Sequence, residues 1–198
     1  MTEKKHFNLG FTAASLRLND FVTVARHIRD GSPIDYVNLL GAGKATTGSR
    51  MIHEYSKRIA TLTPLQLSIL INGILPLQKQ IGFLAICKTY GFIRDFTVEV
   101  VREKVLLFQY SLSDGDFISF LRRKTELHPE LETITENTIY KLKQVTFKIL
   151  EQAGIIDSVK SKIIQPQLVD KKVIEAFASD NKEWLKILLL SDTDINNA

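Results

Sequence analysis

Apolar residues recur every three to four positions along most of this 198-residue chain, which is the spacing of amphipathic helices. Proline, glycine, serine and aspartate, which favour helix ends, divide the pattern into segments. The segments predict helices over residues 18–29, 33–40, 45–62, 63–72, 76–90, 93–108, 114–127 and 133–153, and a last amphipathic stretch over 169–190. Only Ile155-Ile156 and Ile163-Ile164 form a convincing pair of β-branched runs. The sequence therefore predicts a mainly α protein with one short β-hairpin.

The stretch 133–166 combines several of these signals. Thr133 and Glu136 have the spacing of a capping box, which predicts a helix start, and Gly154 is placed to end that helix. Its apolar face holds Ile139, Leu142, Thr146, Ile149, Leu150 and Ala153. Its polar face holds Asn137, Lys141, Gln144 and Lys148, with Tyr140 at the edge. A helix with a donor-rich outer face, followed by a hairpin with a basic loop, is typical of a winged helix-turn-helix.

A second helix-turn-helix-type pattern lies near the N-terminus. The first helix stops at Gly31, a short helix follows with Ser32 as N-cap and Pro33 in its first turn, and glycines at 41 and 43 form the next turn. The third helix is predicted to turn Met51, Ile52, Tyr55, Ile59 and Leu62 inward. Its outward face is predicted to hold Thr46, Arg50, His53, Glu54 and Lys57. Three helices with a glycine turn before the third follow the helix-turn-helix order.

These patterns divide the chain into four parts. Residues 1–62 form a helix-turn-helix-like unit, 63–110 a helical scaffold, 111–168 a winged helix-turn-helix-like unit, and 169–198 a C-terminal helix with a frayed tail. The fold class is thus two helix-turn-helix-type units joined by a helical middle. No low-complexity linker separates the parts, so we expect them to be in contact.

Positive charge is concentrated in the two predicted recognition segments. The net charge is +4. Residues 44–58 carry four lysines and arginines against one carboxylate, and residues 138–172 carry seven lysines against three carboxylates. This distribution favours an anionic partner.

Residues capable of catalysis or metal binding form no recognisable motif. Cys87, the only cysteine, lies in an apolar stretch, so a buried structural role is favoured over a nucleophilic one. Gly43-Lys44 lacks the preceding glycine and the following Ser or Thr of a phosphate-binding loop. No histidine has a second ligand three or four positions away, at His6, His27, His53 or His128. We therefore expect no enzymatic activity, no metal and no cofactor.

The sequence predicts neither a signal peptide nor a membrane-spanning segment. The first fifteen residues contain lysines but no continuous apolar region, so no signal peptide is predicted. The longest apolar run, Phe83–Cys87, is far shorter than the roughly 18 residues of a membrane span. A single cysteine suits a reducing compartment, so we expect a cytoplasmic protein without a membrane partner.

Five segments occur in the order FTAASLRLNDFVTVARHIRDG, GKATTGSRMIHEYSKRIATLTPLQLSIL, ICKTYGFIRDFTVEVVREKVL, FISFLRRKTELHPEL and TIYKLKQVTFKILEQAGIID. This series resembles the BrxA family, small accessory proteins of bacterial BREX phage-exclusion systems. The resemblance covers about Phe7–Pro166 and weakens over 169–198. It implies a cytoplasmic, mainly α-helical protein with helix-turn-helix-type units and a nucleic-acid-binding role. It also implies partners among the other BREX components, which include a methyltransferase and an ATPase, and it carries over no catalytic motif.

The function inferred from the sequence is binding of double-stranded DNA by a non-enzymatic accessory protein. The expected DNA contacts are Lys44, Thr46, Thr47, Arg50, His53, Lys57, Arg58, Arg122, Arg123, Asn137, Thr138, Lys141, Gln144, Lys148, Lys160 and Lys162. One alternative is a protein–protein adaptor of the defence complex, whose basic faces are only solvated. The other is RNA binding, which the apparent lack of exposed aromatic platforms disfavours.

Overall fold

The computed structural model describes residues 6–198, so the first five residues of the predicted N-terminal unit, and their part in the signal-peptide prediction, lie outside the described residues. Within this range 67% of residues are helical, which confirms the mainly α prediction. The α-helices are α1 (Leu18–Asp30), α2 (Tyr36–Leu39), α3 (Ala45–Ile59), α4 (Pro64–Asn72), α5 (Leu75–Thr89), α6 (Gly91–Phe96), α7 (Glu103–Leu106), α8 (Asp114–Thr125), α9 (Glu136–Ala153), α10 (Lys171–Ala178) and α11 (Asp192–Asn196). Short 3-10 helices cover Gly10–Ala13, Pro129–Leu131 and Lys182–Leu188, and a π-helical stretch, Thr97–Arg102, joins α6 to α7.

Helix α5 is the centre of the core. Every residue from Gln80 to Cys87 is buried, because α1, α3, α4, α6, α9 and α10 all contact this helix. A Cβ atom at Gly82 would lie 2.9 Å from Leu16 Cδ1, so the glycine lets the chain before α1 approach closely. The predicted N-terminal and C-terminal units therefore pack on the same helix.

A cluster of five phenylalanines fixes α9 against α6 and α8. The cluster consists of Phe92, Phe96, Phe117, Phe120 and Phe147, with neighbouring ring centroids 5.2–6.2 Å apart. Edge-to-face pairs of this kind add about 0.5–1.5 kcal/mol each beyond the area they bury. The cluster therefore anchors α9 through the buried ring of Phe147.

Several helix ends lie where the sequence predicts them. Thr63 and Ser113 each form a capping box, with Gln66 and Asp116 respectively, so the predicted starts of α4 and α8 are confirmed. Gly154 has φ +77 and ends α9, as predicted. Local side-chain chemistry is sufficient to define these ends.

Two predicted helix starts are wrong. Helix α9 is capped by Thr135, whose hydroxyl accepts from the Thr138 N–H, whereas the Thr133 hydroxyl donates to a carbonyl of the preceding 3-10 turn. Helix α2 is capped by Asp35 and not by Ser32, because the Asp35 carboxylate accepts from both the N–H and the side-chain amide of Asn38.

The predicted β-hairpin is wrong as a pair of strands, because no strand forms within residues 6–198. Ile156 and Ile164 form one isolated antiparallel bridge, and Ser111 and Ile163 form another. The Ile163 N–H donates to the Asp157 carboxylate (2.9 Å), so a side chain takes a donor that a longer ladder would use. The segment is therefore a loop with single bridges at its base.

The C-terminal residues also differ from prediction. Residues 191–198, expected to be frayed, contain α11, which begins with a capping box between Ser191 and Asp194. Arg102, buried in the π-helical stretch, donates to the Leu190 carbonyl (2.7 Å) and pairs with Asp192 (2.8 Å). This buried guanidinium ties the C-terminal segment to the body.

No helix in the described part of the chain combines the length and apolarity needed to cross a bilayer.

Candidate nucleic-acid interface

The outer face of α9 is accessible along its length. Asn137, Lys141, Gln144 and Lys148 are exposed, and Thr138 is half-buried beside them. On the opposite face Leu142, Thr146, Ile149, Leu150 and Ala153 are buried and Ile139 is half-buried. The two faces predicted for this helix are confirmed. Their division leaves a stripe of lysine and amide groups in solvent.

The loop 157–162 lies beside this stripe and is fixed by its own side chains. The Asp157 carboxylate accepts from the Ser161 hydroxyl and from the N–H groups of Ser158 and Ile163. These bonds, the Ser161 one first, lower the pKa of Asp157. The loop therefore keeps a defined shape, with the Lys160 side chain exposed at its tip.

Lys162, at the end of the loop, points back toward the protein. Its ammonium lies 3.3 Å from Asp114 Oδ1 and 5.2 Å from the centre of the Phe147 ring. Lys143 of α9 pairs with the same carboxylate at 2.5 Å. The hydrogen bond from Lys143 is the main cause of the lowered pKa of Asp114. One carboxylate at the start of α8 thus holds two lysines from different elements.

A concave cavity of about 620 Å³ lies between α9 and the segment 12–17. It brings together four of the predicted contacts, Lys141, Gln144, Lys148 and Lys162. Among its other lining residues, which the sequence did not select as contacts, are Arg17, Tyr140 and Lys143. The helical periodicity had placed Tyr140 at the edge of the polar face of α9. Arg17 lies in a loop, where no periodic pattern indicates which way a side chain points.

Arg17 contacts both α3 and α9. It has φ +39, a value that side-chain-bearing residues seldom adopt. Its backbone N–H donates to the Gln152 side chain of α9, while its guanidinium lies 3.4 Å from the sulfur of Met51 in α3. The 3-10 helix Gly10–Ala13 likewise contacts both α3 and α9. The segment 10–17 therefore lies between α3 and α9.

The outer face of α3 is only partly as predicted. Its accessible residues are Lys44, Thr46, Thr47, Arg50 and His53. Lys57 is half-buried, with its ammonium 5.5 Å from the centre of the Tyr90 ring. Glu54, predicted to face outward, is buried and accepts a hydrogen bond from the Tyr90 hydroxyl.

Arg58 does not lie on the surface, so the prediction that it contacts DNA is wrong for this structure. Its side chain is fully buried and donates to the carbonyls of Ala14 (2.5 Å) and Ser15 (2.9 Å). Its guanidinium also lies over the rings of Tyr55 and Tyr90. Arg58 therefore holds the segment that forms one wall of the cavity.

Arg122 and Arg123 of α8 are exposed but do not line the cavity. The third member of this basic run, Lys124, is buried and pairs with Asp95 (2.8 Å) and Glu99 (2.5 Å). Only two of the three side chains are thus available to an anionic partner.

The described residues offer little to redox or metal chemistry. Cys87 is fully buried, and burial raises the pKa of its thiol well above the ordinary value. In residues 6–198 no group of three His, Cys, Asp or Glu side chains is arranged to hold a metal ion. The exposed groups on the outer faces of α3 and α9 are instead ammonium, guanidinium, hydroxyl and amide groups.

The sequence and fold are similar to those of known proteins. A BREX protein BrxA of Escherichia coli O9:H4 (strain HS) is 25% identical over 128 residues, and one of Bacillus cereus (strain H3081.97) is 31% identical over 105 residues. The alignments cover 65% and 52% of this chain, and the chain spans 60% and 52% of the length of these curated relatives. The fold matches the crystal structure of an uncharacterized protein from Magnetospirillum magneticum with a TM-score of 0.79 at 18% identity, over 93% of this chain and 98% of that one.

The sequence model of the BrxA family matches residues 5–181. This match extends beyond Pro166, where the resemblance in the sequence weakened, and includes all of α10. Since the match covers most of the sequence, the chain belongs to the BrxA family.

Proposed function

We propose that this protein is a non-enzymatic, double-stranded DNA-binding accessory protein of a BREX anti-phage defence system. The observation that carries the proposal is the stripe Asn137, Lys141, Gln144 and Lys148, which is exposed along a helix whose opposite face is buried. Lysine and amide side chains spaced along one helix face are the groups that contact phosphates and base edges in a major groove.

We propose that α8, α9 and the loop 157–162 act together as a helix-turn-helix-like unit, with the loop in the place of a wing. Helix α8 precedes α9, and the loop 157–162 follows it. The base of the loop is joined to residues 110–112, because the Leu112 N–H donates to the Lys162 carbonyl (3.0 Å) and the Ile164 N–H to the Tyr110 carbonyl (2.8 Å). In this proposal α9 enters the groove, Lys160 contacts the adjacent backbone, and Arg122 and Arg123 contact phosphates from α8.

The outer face of α3 supplies a second set of contacts. Lys44 and Arg50 are exposed and form no ion pair within residues 6–198, so both are available to phosphates. Thr46, Thr47 and His53 lie on the same face. In this proposal one duplex runs over the 3-10 helix Gly10–Ala13, which contacts both α3 and α9, and meets the outer faces of both helices.

Membership of the family supports a place in the defence system. The curated relatives are BREX proteins, and we propose that this chain associates with other BREX components such as the methyltransferase and the ATPase. The non-enzymatic role is supported by the buried thiol of Cys87. Cytoplasmic location is proposed on the same grounds, since such partners act on intracellular DNA.

The test is a gel-shift series with purified protein on duplex DNA, single-stranded DNA and duplex RNA at several salt concentrations. We expect duplex DNA to bind most tightly and its log K to fall linearly with log salt. Lys141→Ala should weaken binding to all sequences, whereas the matched variant Lys172→Ala, exposed on α10, should bind like the parent. No shift of duplex DNA at moderate salt, or a stronger shift of RNA, would refute the proposal.

A protein–protein adaptor is the second candidate, and one observation favours it. Leu107 and Phe108 are 65% and 81% exposed, and Tyr110 is 45% exposed two residues later. Apolar groups that are adjacent on a surface are typical of protein contacts. If Leu107→Ser/Phe108→Ser abolishes association with another BREX component while DNA binding is retained, the adaptor role is established beside the DNA role.

A further inference from the structure

The cavity beside α9 is large enough to hold a small molecule. Its volume of about 620 Å³ lies within the range of about 300–1,000 Å³ that is usual for small-molecule sites. Its lining includes Phe147 and Val145, which are only 3% and 8% exposed. A cavity of this volume with apolar residues in its lining suits a small ligand.

The charges that line the cavity favour an anion. Five cationic side chains take part, namely Arg17, Lys141, Lys143, Lys148 and Lys162. Three carboxylates pair with four of them: Asp114 with Lys143 and Lys162, Glu151 with Lys148, and Asp20 with Arg17. Lys141 forms no ion pair within residues 6–198. Five cations against three carboxylates leave an excess of two positive charges at the cavity.

The lining also offers a site for a planar ring. The Tyr140 side chain is 63% exposed at the cavity, and the Lys143 ammonium lies 5.8 Å from the centre of its ring. Val145, Val159 and Phe147 add apolar surface, and Gln144 adds an amide that both donates and accepts hydrogen bonds. Aromatic stacking beside cations is how proteins hold a base together with its phosphate.

Backbone strain is an independent sign that the cavity is used. Only five residues other than glycine have positive φ within residues 6–198, and two of them, Arg17 (φ +39) and Lys162 (φ +54), line this cavity. Each is a basic residue at a position where glycine or asparagine would be more stable. Strained residues of this kind tend to occur where a side chain is needed for binding.

We propose that this cavity binds a nucleotide, with its phosphates on the lysines and its base against Tyr140. The ligand class is a nucleoside diphosphate, because five cationic side chains, enough to contact more than one phosphate, line the cavity beside a single exposed ring. The inference goes beyond the proposed DNA function, since it requires Tyr140 and Lys143, which are not among the residues proposed to contact a duplex. Lys141 and Lys148 serve both ligands, so nucleotide and DNA compete if both bind.

The test is isothermal titration of the purified full chain with ADP, with adenosine and with inorganic pyrophosphate, at constant ionic strength. We expect ADP to bind at least about tenfold more tightly than either part, because stacking and charge act together. Tyr140→Ala/Lys143→Ala should weaken ADP binding by about tenfold or more and leave duplex DNA affinity within about threefold. Tyr140→Phe keeps the ring and should bind ADP like the parent, as should the control Lys172→Ala.

Three results would overturn the inference. They are no saturable binding of ADP, equal affinity for ADP and pyrophosphate, and unchanged ADP affinity in a Tyr140→Ala/Lys143→Ala protein whose circular dichroism matches the parent. Each is distinct from failure of the proposed DNA function, which is measured with duplex alone. A protein that binds duplex but not ADP refutes only the nucleotide site, and the converse refutes only the DNA role.

Discussion

Replacing Arg58 by alanine should destabilise the fold strongly without removing a DNA contact. The side chain lies entirely inside the protein, where it donates to the carbonyls of Ala14 and Ser15. A surface arginine that binds phosphate would show the opposite behaviour, with weaker DNA binding and an unchanged melting temperature. The substitution therefore distinguishes the buried position from the surface position that the charge pattern suggested.

The magnitude follows from the contacts that are lost. A hydrogen bond from a charged donor contributes about 1.5–3 kcal/mol, and Arg58 makes two of them to carbonyls that would be left without this donor. We expect a loss of about 3–5 kcal/mol in the free energy of unfolding, since a shorter side chain also leaves space beneath Tyr55 and Tyr90. For a chain of this size that loss lowers the melting temperature by roughly 6–20 °C.

The measurement is thermal unfolding followed by circular dichroism, with Lys57→Ala as the matched control. Lys57 precedes Arg58 and keeps only a contact between its ammonium and the Tyr90 ring at 5.5 Å, which contributes about 0.5–1 kcal/mol. Arg58→Met, which keeps most of the stem, should lie between the two variants. A melting temperature of Arg58→Ala within about 2 °C of the parent, together with weaker DNA binding, would refute the buried assignment.

Three further predictions concern the loop, a strained residue and an acidic group. Lys160→Ala should reduce the slope of log K against log salt by about 0.9, as measured by gel shift, because its exposed side chain is expected to neutralise one phosphate. Phe108→Gly should gain about 0.5–1 kcal/mol over Phe108→Ala in urea unfolding, since Phe108 has φ +57 and its ring is 81% exposed. Burial raises the pKa of Glu130, but hydrogen bonds from the Phe7 N–H and from His128 outweigh burial and lower this pKa to about 2. Glu130→Gln should therefore be less stable than the parent at pH 7, and the difference in stability should disappear as the pH falls from about 4.5 to 2.

The division of α9 into two faces could be predicted because it depends only on spacing along one helix. Leu142 and Ile149 are seven residues apart, so both face the core, and Lys141 and Lys148 repeat the same interval on the outer side. The same rule should have placed Arg58 correctly. It lies seven residues after Met51 and three after Tyr55, which are both buried, so the periodicity indicated an inward side chain although the charge indicated solvent.

The cavity could not be predicted from local sequence. Its two walls come from residues 12–17 and from α9, and the bond that joins them, between Arg17 and Gln152, spans 135 positions of the chain. Neither the periodicity of α9 nor the composition of residues 12–17 indicates that these two segments lie close together. It depends on how both segments pack around α5, which is a property of the assembled core.

The prediction of a β-hairpin was wrong for a different reason, which is that a side-chain carboxylate competes with backbone carbonyls for an N–H donor. Two β-branched pairs correctly indicated extended backbone, and Ile155, Ile156 and Ile164 are buried as such residues usually are. The side chain of Asp157 nevertheless accepts the Ile163 N–H, so the ladder stops after one bridge. The β-propensity of the isoleucines therefore predicted their burial, but it did not predict which acceptor each backbone N–H group in this segment would bond to.

The carboxylate shared by Lys143 and Lys162 has a consequence for how salt would affect binding. Asp114 acts as an internal counterion, already supplied to both ammonium groups before any ligand arrives. If a phosphate took the place of the Asp114 carboxylate at Lys162, one bound cation would be released from the nucleic acid. The half-exposed carboxylate of Asp114 would at the same time attract a cation from solution. These two exchanges oppose each other, so the salt slope undercounts the phosphates that this corner of the protein holds. A titration with salt therefore reports the contacts of the unpaired lysines and largely misses the contact of Lys162.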